Sequence, residues 1–475
     1  MIYDVVIVGA GPSGLFTGYV LEQKGINFLI IEKGNVYSNR NNSDPFDVSY
    51  GFGGAGLFSD GKLSYAPSAS NLWTKLNDKK LAEAYEYIQD FFSTLGILLK
   101  DWEDSWTDAY KFEDVKEYDS MYLSDEKRRD ILDEIYNKLR NNIVFNETVS
   151  YIDNSQEIYN IRCDNNNQYS AKSVVMATGK GSSLNIFAPN IDIKSAFMAE
   201  MGVRVEVDKQ SFLPNKEKQI DYKIIEQIDD TTEIRTFCCC KSGRVKESLY
   251  KDHITYNGET TDENETFSNI GIVVKTKNKH SIYAKEMLNC FNNNQSKVID
   301  VCDFLNQERV IGYDTDKLIK RLLYRVIKKG CGGKIYGPEI EKIGDYPILN
   351  SKLEVRKNLH FIGDCTGAFR GLMAAFVSGT YIGLSIADDK KKNIQENMKR
   401  LNIKQSDTQE MKMIFTAQSK AYFYCRDVIC QYVLEQGFLP INPFRVFDYF
   451  LNDRVNRDLI RRGNNQLIKK CEELW

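Results

Sequence analysis

The sequence predicts an α/β fold that is interrupted by a β-rich segment and followed by a small C-terminal appendage. Three observations favour this class. A strand, a glycine-rich turn, a helix and a second strand follow one another within residues 4–33. Two later apolar strands, in residues 173–183 and 358–387, also run into glycine turns. Between these strands, residues 194–330 carry short strands separated by Asn- and Asp-rich turns, which is typical of an antiparallel sheet.

The first unit, DVVIVGAGPSGLFTGYVLEQKGINFLIIEK, has the spacing of a Rossmann-like dinucleotide site. Gly9 permits a tight turn, Gly11 lets the backbone approach a diphosphate, and Gly14 lets the helix pack closely on the strand. The helix N-terminus offers N–H groups and the positive end of its dipole to the phosphates. Glu32 ends the second strand, where a carboxylate can accept both hydroxyls of a ribose. The alternative is a glycine turn in an ordinary α/β core.

A second glycine-rich segment, GFGGAGLFSDGKLSY, spans residues 51–65. Its glycines leave the backbone without side chains, so several N–H groups there can line a phosphate or a flat ring. A mobile loop would have the same composition, and both interpretations stay open. The SDGK portion adds Asp60 and Lys62 as candidates for acid or base chemistry.

Two further strands end in small residues. The segment SVVMATGKGSS places Ala177, Thr178 and Gly179 at the carboxyl end of a strand, where ligands collect in open α/β sheets. In NLHFIGDCTGAFRGLMAAFVSGTYIGLSIA, Asp364 follows a strand and can accept a ligand hydroxyl. Gly371 then opens an apolar helix whose first N–H groups can stabilise negative charge. The alternative is a buried helix behind an ordinary turn.

Composition divides the 475 residues into five segments. Within the first segment we predict two amphipathic helices, Leu76–Leu95 and Asp125–Arg140, with Ser124 as the N-cap of the second. The segments are a Rossmann-like domain at 1–193 with a helical insertion at 70–141, a β-rich α+β substrate domain at 194–330, the return of the Rossmann-like domain at 331–388, a linker at 389–410, and an α/β or helical appendage at 411–475.

Taken together, the four glycine-containing segments resemble FAD-binding flavoproteins of the glutathione-reductase-like fold. More narrowly, GFGGAGLFSDGKL, MGVRVEV, RTFCCCKSGRV and GDCTGAFRGLMAAFVSG resemble the uncharacterised bacterial FAD-dependent dehydrogenase family. The resemblance covers about residues 1–388 and implies FAD as the cofactor. It implies that GAGPSG and Glu32 hold the ADP half, that the ATG turn lies beside the nucleotide, and that Asp364 holds the ribitol. The family usually has Glu where this chain has Asp364, which is shorter but keeps the carboxylate.

The predicted site residues lie in or beside these segments. For catalysis the candidates are Asp60 and Lys62 as acid or base, with Arg204 and Arg370 as anion-binding groups; each could instead be a surface charge or part of a structural ion pair. The predicted cofactor-binding residues are Gly9, Gly11, Pro12, Ser13, Gly14, Glu32, Lys33, Gly53, Gly54, Ala55, Gly56, Val149, Ala177, Thr178, Gly179, Gly363, Asp364, Gly371, Leu372, Met373 and Ala374.

The cysteines and histidines give weaker signals. The odd number of Cys, eleven, in irregular positions fits a reducing compartment better than a disulfide framework. We expect the run Cys238–Cys240 to pack as small hydrophobes on alternate faces of a strand, although redox chemistry stays open. Cys365 has the same two interpretations. No metal site is expected, because the three His are distant from one another and from carboxylates at ligand spacing.

The charge and hydropathy of the chain limit the classes of partner that it is expected to bind. The net charge of −3 and the pI near 5.9 give no general attraction to nucleic acid or to anionic membranes. No apolar run approaches the length of a membrane span, and no basic region precedes the first apolar run. We therefore expect a cytoplasmic protein.

The motifs favour an FAD-dependent oxidoreductase that transfers a hydride at flavin N5 to or from a small-molecule substrate. The absence of a second GxGxxG argues against a dedicated NAD(P)H domain. The electron donor is therefore not fixed by a motif, and it is either NAD(P)H that binds transiently or another transient donor. One alternative is a flavoprotein that binds, senses or modifies a nucleotide, with residues 411–475 as the binding module. An FAD monooxygenase is a third possibility.

Overall fold

The computed structural model describes residues 2–65, 76, 78–102, 111–112, 115–116, 120–155, 157–181, 184–216, 223–260, 264–400, 414–415 and 440–441. The chain divides into a large unit, Ile2–Ser385, and a second unit that begins at Ile386. Two sheets in the large unit contribute to the site described below.

The elements are numbered in chain order. The strands are β1 (Ile2–Val8), β2 (Phe28–Ile31), β3 (Lys62–Ser64), β4 (Lys111–Phe112), β5 (Val115–Lys116), β6 (Ser120–Tyr122), β7 (Ile143–Val144), β8 (Val149–Ser155), β9 (Ile158–Cys163), β10 (Gln168–Met176), β11 (Ser195–Asp208), β12 (Lys223–Asp229), β13 (Thr232–Cys240), β14 (Gly243–Tyr250), β15 (His253–Thr260), β16 (Phe267–Thr276), β17 (Lys297–Asp300), β18 (Gly333–Pro347), β19 (Glu354–Arg356), β20 (Leu359–Phe361), β21 (Ile414–Phe415) and β22 (Pro440–Ile441). The helices are α1 (Pro12–Gln23), α2 (Pro45–Ser49), α3 (Asp78–Thr94), α4 (Asp125–Leu139), α5 (Ile282–Asn292), α6 (Val301–Asn306), α7 (Tyr313–Leu323) and α8 (Leu372–Arg400).

The two helices predicted in the insertion are confirmed as α3 and α4. The Ser124 hydroxyl caps α4 by accepting the Lys127 N–H at 3.1 Å, and Asp125 and Glu126 occupy the first turn, where they favour the helix dipole. The insertion also contains strands. Of these, β5 pairs with β12, so part of the insertion belongs to the second sheet rather than to a helical layer.

The first sheet has a parallel core in the order β19-β20-β10-β1-β2-β7, in which β19 alone runs antiparallel to its neighbour. Strands β8 and β9 extend it beside β10 as antiparallel strands. The central strands are apolar and fully buried at Val5–Val8 and Phe28–Ile31, as expected for parallel strands covered on both faces. Because β1, β2, β10 and β20 are parallel, the turns that follow them meet at one edge of the sheet.

The second sheet is antiparallel and has the order β17-β18-β11-β16-β13-β12-β5-β4. Along β11 the residues alternate: Met201, Val203 and Val205 join an apolar core with the buried residues of α7, whereas Glu200 and Arg204 lie on the opposite face. The sheet therefore separates a helix-covered apolar face from a face that carries buried charges.

The β-rich segment extends further than the sequence boundary at residue 330. Strand β18 pairs with β11 from Ser195↔Pro347 to Val207↔Gly333, so the antiparallel sheet continues to Pro347. The boundary was predicted too early because the charged, glycine-containing β18 does not resemble the apolar strands around it. Only after Pro347 does the chain return to the first sheet through β19 and β20.

Helix α8 continues to Arg400, across the first part of the predicted linker at 389–410. In the C-terminal unit, β21 and β22 pair in parallel, and both lie within the predicted appendage at 411–475. The rest of the predicted appendage lies outside the described residues. Across the described residues, no helix combines the length and the apolar character needed to cross a lipid bilayer.

Candidate active site

A cavity of about 1200 Å³ lies between the carboxyl edge of the first sheet and the charged face of the second. Residues from both sheets line it, among them Gly11, Asp364, Arg204 and Arg235. This position is where open α/β sheets bind ligands, and the cavity is large enough for a dinucleotide together with a small substrate.

The turn between β1 and α1 forms one wall of the cavity. Gly9 has a φ of +107°, and a Cβ there would lie 2.5 Å from the Ala177 carbonyl oxygen. A Cβ on Gly14 would lie 2.0 Å from the Gly9 carbonyl oxygen, so helix and strand are too close for a larger residue. At Gly11 the nearest atom to an added Cβ is the Gly54 Cα, 3.9 Å away. The fold itself therefore tolerates a side chain at Gly11, and what that side chain would fill is the cavity in front of the N-terminus of α1.

Glu32 fastens this turn to its neighbours. Its Oε2 accepts the Ala10 N–H at 2.6 Å, and its Oε1 accepts the N–H groups of Gly34 at 2.8 Å and Gly51 at 2.9 Å. A carboxylate has about four acceptor sites, so three backbone bonds leave roughly one for a ligand. Glu32 lines the cavity, and most of its acceptor capacity joins three glycine-containing loops.

The second glycine-rich segment lies directly on the first. The Gly53 N–H donates to the Ala10 carbonyl at 2.9 Å, and a Cβ on Gly54 would lie 2.9 Å from the Gly11 Cα. Gly53 has a φ of +89°, which favours glycine. The segment is thus anchored to the first turn, and Gly54, Ala55 and Gly56 line the cavity beside it.

The turns after β10 and β20 complete this side of the cavity. Thr178 and Gly179 follow β10, and Asp364 follows β20 in a short 3₁₀ turn. Burial raises the pKa of the Asp364 carboxyl, and the nearby cations Lys180 and Arg370 partly oppose that rise. The first residues of α8 line the same wall.

Most of the predicted cofactor residues border the cavity. Gly14, Gly53 and Gly363 do not: Gly14 packs on the turn at Gly9, Gly53 packs against Leu132, and Gly363 packs against Ser13. Those that line it are Gly9, Gly11, Pro12, Ser13, Glu32, Lys33, Gly54, Ala55, Gly56, Val149, Ala177, Thr178, Gly179, Asp364, Gly371, Leu372, Met373 and Ala374.

The two predicted acid or base candidates, Asp60 and Lys62, also line the cavity. Their side chains form an ion pair with a distance of 3.8 Å between Oδ2 and Nζ, and each is 10% exposed. Asp60 in addition accepts the Lys62 N–H at 3.1 Å, which fixes the loop between them. The pair therefore brings a mostly buried carboxylate and ammonium to the cavity wall.

The two predicted arginines are held in ion pairs. Arg204 donates to Glu339 at 2.9 Å and to Asn269 at 2.9 Å, and its side chain is 1% exposed. Arg370 pairs with Glu341 and stacks on the Phe237 ring, with 4.5 Å between the guanidinium carbon and the ring centroid. Arg204 is thus mainly a buried structural cation, whereas Arg370 links the start of α8 to the second sheet.

Sequence reasoning missed a group of cations on the second sheet. In the sequence, the cations that lie on strands have in common that they alternate with apolar residues. The alternation of polar and apolar residues predicts two faces of a sheet, but it does not predict which face borders a cavity. The cations that line the cavity from these strands and the turn after β16 are Lys223, Arg235, Lys275, Lys277 and Lys342.

Glu200 organises part of this group. Its Oε1 accepts from the Arg235 Nε at 3.1 Å and lies 3.5 Å from an Arg370 nitrogen, and its Oε2 lies 3.1 Å from the Lys342 Nζ. Although burial opposes ionisation, the three cations hold the pKa of the Glu200 carboxyl well below its usual range. Glu200 is therefore charged, and it orients cations that reach the cavity.

The cysteine run differs from the expected alternation. Cys238 has a φ of +47°, and the pairing of β13 with β16 shifts between Phe237 and Cys240, which marks a β-bulge. Cys238 lines the cavity and its thiol donates to the Asp60 Oδ2 at 3.6 Å, while Cys239 packs in the apolar core of the second sheet. The expectation of simple packing is therefore wrong for Cys238.

Cys365, by contrast, packs inside the first sheet. Its sulfur lies 3.0 Å from the Ile362 carbonyl and 3.2 Å from the Met176 carbonyl, and burial raises its pKa to about 12. His360 is buried on β20.

One comparison with known proteins falls on the N-terminal turn. A family model described as an FAD binding domain matches residues 2–46. A search of curated proteins found no match. Among solved structures, tetracycline destructase Tet(55) aligns with 9% identity and a TM-score of 0.38 over 82% of this chain and 81% of that chain. The Diels-Alderase PyrE3 aligns with 10% identity and a TM-score of 0.37 over 81% of this chain and 65% of that chain.

The OTEMO complex with FAD and NADP aligns with 18% identity and a TM-score of 0.22, over 40% of this chain and 27% of that chain. The chain thus spans about a quarter of OTEMO. The family match falls on the glycine turn and Glu32, where the open space at Gly11 and the N-terminus of α1 suit a diphosphate. FAD is the cofactor that this match assigns to the turn.

Proposed function

We propose that the chain holds FAD along the carboxyl edge of the first sheet and exchanges a hydride between the flavin and a small anionic substrate. The observation that carries this proposal is the shared cavity, which has nucleotide-type glycine loops on one side and strand cations on the other. Glu233 is a carboxylate on the same wall, and it pairs with Lys275 at 3.0 Å.

The charge balance behind this wall favours an anion. Two buried carboxylates, Glu200 and Glu341, pair with four cations. Asp364 faces three of these cations as well, but the cavity lining as a whole carries more Lys and Arg side chains than carboxylates. The surrounding cations are Lys180, Arg235, Lys342 and Arg370. An anionic substrate would offset the excess positive charge, and a low-dielectric cavity strengthens that attraction.

The residues that would hold FAD follow from the geometry and from the family resemblance. The amides at the start of α1 and in the Gly54–Gly56 turn suit the diphosphate, and Asp364 suits the ribitol. When bound, the flavin supplies hydride acceptance or donation. The strand cations, among them Lys275 and Lys277, orient the substrate, and the Asp60 and Lys62 pair can hold a proton at the cavity wall.

The test is anaerobic mixing of the FAD-loaded enzyme with small hydroxy acids, amino acids and sugar phosphates, and with uncharged alcohols of similar size. We expect an anionic compound to bleach the oxidised flavin. The double variant Lys275→Gln/Lys277→Gln should then raise the half-saturating concentration about tenfold, which corresponds to roughly 1.4 kcal/mol. Lys317→Gln, an exposed residue on α7, is the matched control and should leave that concentration unchanged.

Bleaching only by uncharged compounds would contradict the anionic substrate. The hydride step would be contradicted if the flavin were reduced only by NAD(P)H and the product then carried an oxygen atom from O₂. That outcome would identify a monooxygenase and would leave the FAD assignment intact.

A further inference from the structure

The bulge in β13 brings two sulfurs and a carboxylate together. The ligand atoms of Asp60, Cys238 and Cys240 all lie within 4.8 Å of one another, although Asp60 is 178 positions from Cys238. Cys239 lies between the two cysteines in sequence and packs on the other face of the sheet. Cys238 holds a left-handed backbone conformation, which a β-strand does not require and which is costly for a residue with a Cβ.

Two contacts connect this bulge to the flavin side of the cavity. The Cys238 sulfur lies 3.6 Å from the Asp60 carboxylate, and Asp60 continues the loop that begins with the Gly54–Gly56 turn. The ring of Phe237, the residue before Cys238, stacks on the Arg370 guanidinium, with 4.5 Å between the ring centroid and the guanidinium carbon. Arg370 immediately precedes Gly371 at the start of α8. Cys238 therefore borders the cavity between two segments that line the cofactor wall.

The cations around Cys238 favour its thiolate, whereas the Asp60 carboxylate, which accepts the Cys238 S–H at 3.6 Å, opposes it. The hydrogen bond from the Cys240 thiol, together with the charges of Arg204 and Lys62, outweighs burial and holds the pKa of Cys238 well below its usual range. The same hydrogen bond and burial raise the pKa of Cys240. An Arg204 nitrogen lies 2.5 Å from the Cys238 carbonyl and 3.6 Å from the Cys240 sulfur, so a fixed cation adjoins both residues. One thiolate next to one thiol is the arrangement of a reactive dithiol.

We propose that Cys238 and Cys240 form a redox pair that cycles between dithiol and disulfide by exchanging electrons with the flavin. The proposal rests on the placement of FAD in this cavity. In the oxidising direction, the Cys238 thiolate and the Cys240 thiol lose two electrons and one proton and form one Sγ–Sγ bond. Oxidised flavin accepts the two electrons and the proton and becomes anionic reduced flavin, so atoms and charge balance. The reverse reaction opens the disulfide.

The spacing allows the bond. The bulge brings the two sulfurs within 4.8 Å of each other, so side-chain rotation with a small backbone movement can close the bond. A divalent metal is a less suitable occupant of the cluster. The Lys62 Nζ lies 3.8 Å from Asp60, and the Arg204 guanidinium adjoins Cys240, so two cations already face the three ligand atoms.

The first measurement uses wild-type holoenzyme and differential alkylation with mass spectrometry. After anaerobic reduction, both Cys238 and Cys240 should be alkylated. After oxidation, both should be protected, and the peptide that contains them should be lighter by two hydrogen atoms. Alkylation of both residues in every redox state would overturn the proposal. Zinc bound to purified protein, with the cysteines protected until a chelator removes it, would also overturn it.

The second measurement is a reductive titration of the bound flavin with dithionite. The wild type should consume about twice as many reducing equivalents per flavin as Cys238→Ser or Cys240→Ser, because the disulfide accepts a second pair of electrons. Cys302→Ser, at an exposed cysteine on α6, should behave as the wild type. Equal consumption by wild type and both variants would contradict the redox pair. Protein without flavin absorbance would instead contradict the cofactor placement, so the two failures are distinguishable.

Discussion

The two walls of the cavity are built in different ways. On the side of the first sheet, the wall is formed largely by backbone, because glycines such as Gly11, Gly54 and Gly371 have no side chains. Each of these glycines belongs to a short motif that is continuous in sequence. On the second sheet, the wall consists of charged side chains that strands bring together from distant positions. Arg204 and its partner Glu339 are 135 residues apart, and Arg235 and Glu200 are 35 residues apart.

This difference separates two tasks. A backbone wall suits a cofactor with a fixed diphosphate, because amide groups and a helix N-terminus recognise phosphate without a particular side chain. A wall of side chains suits a substrate, because its charged residues can be substituted without altering the sheet that carries them. We therefore expect substitutions on the first wall to affect FAD binding, and substitutions on the second wall to affect stability and substrate use.

The largest effect is expected at Gly11. Its φ of −75° and ψ of 178° suit any residue, and the nearest atom to an added Cβ is 3.9 Å away. Gly11→Val should therefore fold normally while its side chain fills the space in front of α1. We expect FAD affinity to fall at least about 1000-fold, which is roughly 4 kcal/mol. Flavin retained on gel filtration and FAD titration by fluorescence quenching would measure this.

Gly332→Val is the matched control, because Gly332 also has open space around it and does not line the cavity. It should bind FAD like the wild type. Unchanged FAD affinity in Gly11→Val, with the control also unchanged, would mean that the diphosphate lies elsewhere and that the two walls do not divide the tasks.

The same contrast explains how much the sequence could predict. The turns of the first wall were predictable because their signal is local: glycine spacing, apolar strands and a terminal carboxylate all fall within thirty residues. The second wall was not, because the partners of Glu200 come from β13, β18 and the start of α8. The bulge at Cys238 was also hidden, since a run of three cysteines gives no sign of a left-handed residue.

The second prediction concerns Glu200, which has no exposed surface and contacts three cations. In Glu200→Gln, Arg235, Lys342 and Arg370 would face one another without that carboxylate. Removing one partner of a buried ion pair costs about 3 to 5 kcal/mol, and the partial exposure of the cations favours the lower figure. Urea unfolding at saturating FAD would measure the loss.

Glu308→Gln removes a carboxylate that is 55% exposed and lies 4.0 Å from Lys297, so it is the matched control. Exposed pairs of this kind contribute little, and we expect no measurable change. Equal stability of both variants would mean that the charged face is dispensable for folding, and the second wall would then be a substrate surface alone.

The smallest effect is expected at Asp316, a buried carboxylate in the helical layer on the opposite side of the same sheet. No ring of cations surrounds it in the described structure; it accepts backbone N–H groups from Val310 at 2.8 Å and from Ile311 at 3.3 Å. Burial raises its pKa from 3.8 to about 6, whereas Glu200 is shifted in the opposite direction. The native state therefore binds the Asp316 proton more tightly than the unfolded state does. Its contribution to stability is complete below pH 3.8 and is lost as the pH rises to about 6.

From this shift the free energy of unfolding should fall by up to about 3 kcal/mol between those pH values. Asp316→Asn keeps an acceptor for the two N–H groups but cannot ionise, so it should remove that pH dependence. Urea unfolding of both proteins at several pH values between 4 and 7 would measure the difference, with the exposed Asp303→Asn as the control for loss of a carboxylate. Parallel pH profiles for the wild type and Asp316→Asn would show that burial does not govern Asp316. The contrast between a cation-stabilised acid on one face of the sheet and a burial-shifted acid on the other would then be wrong.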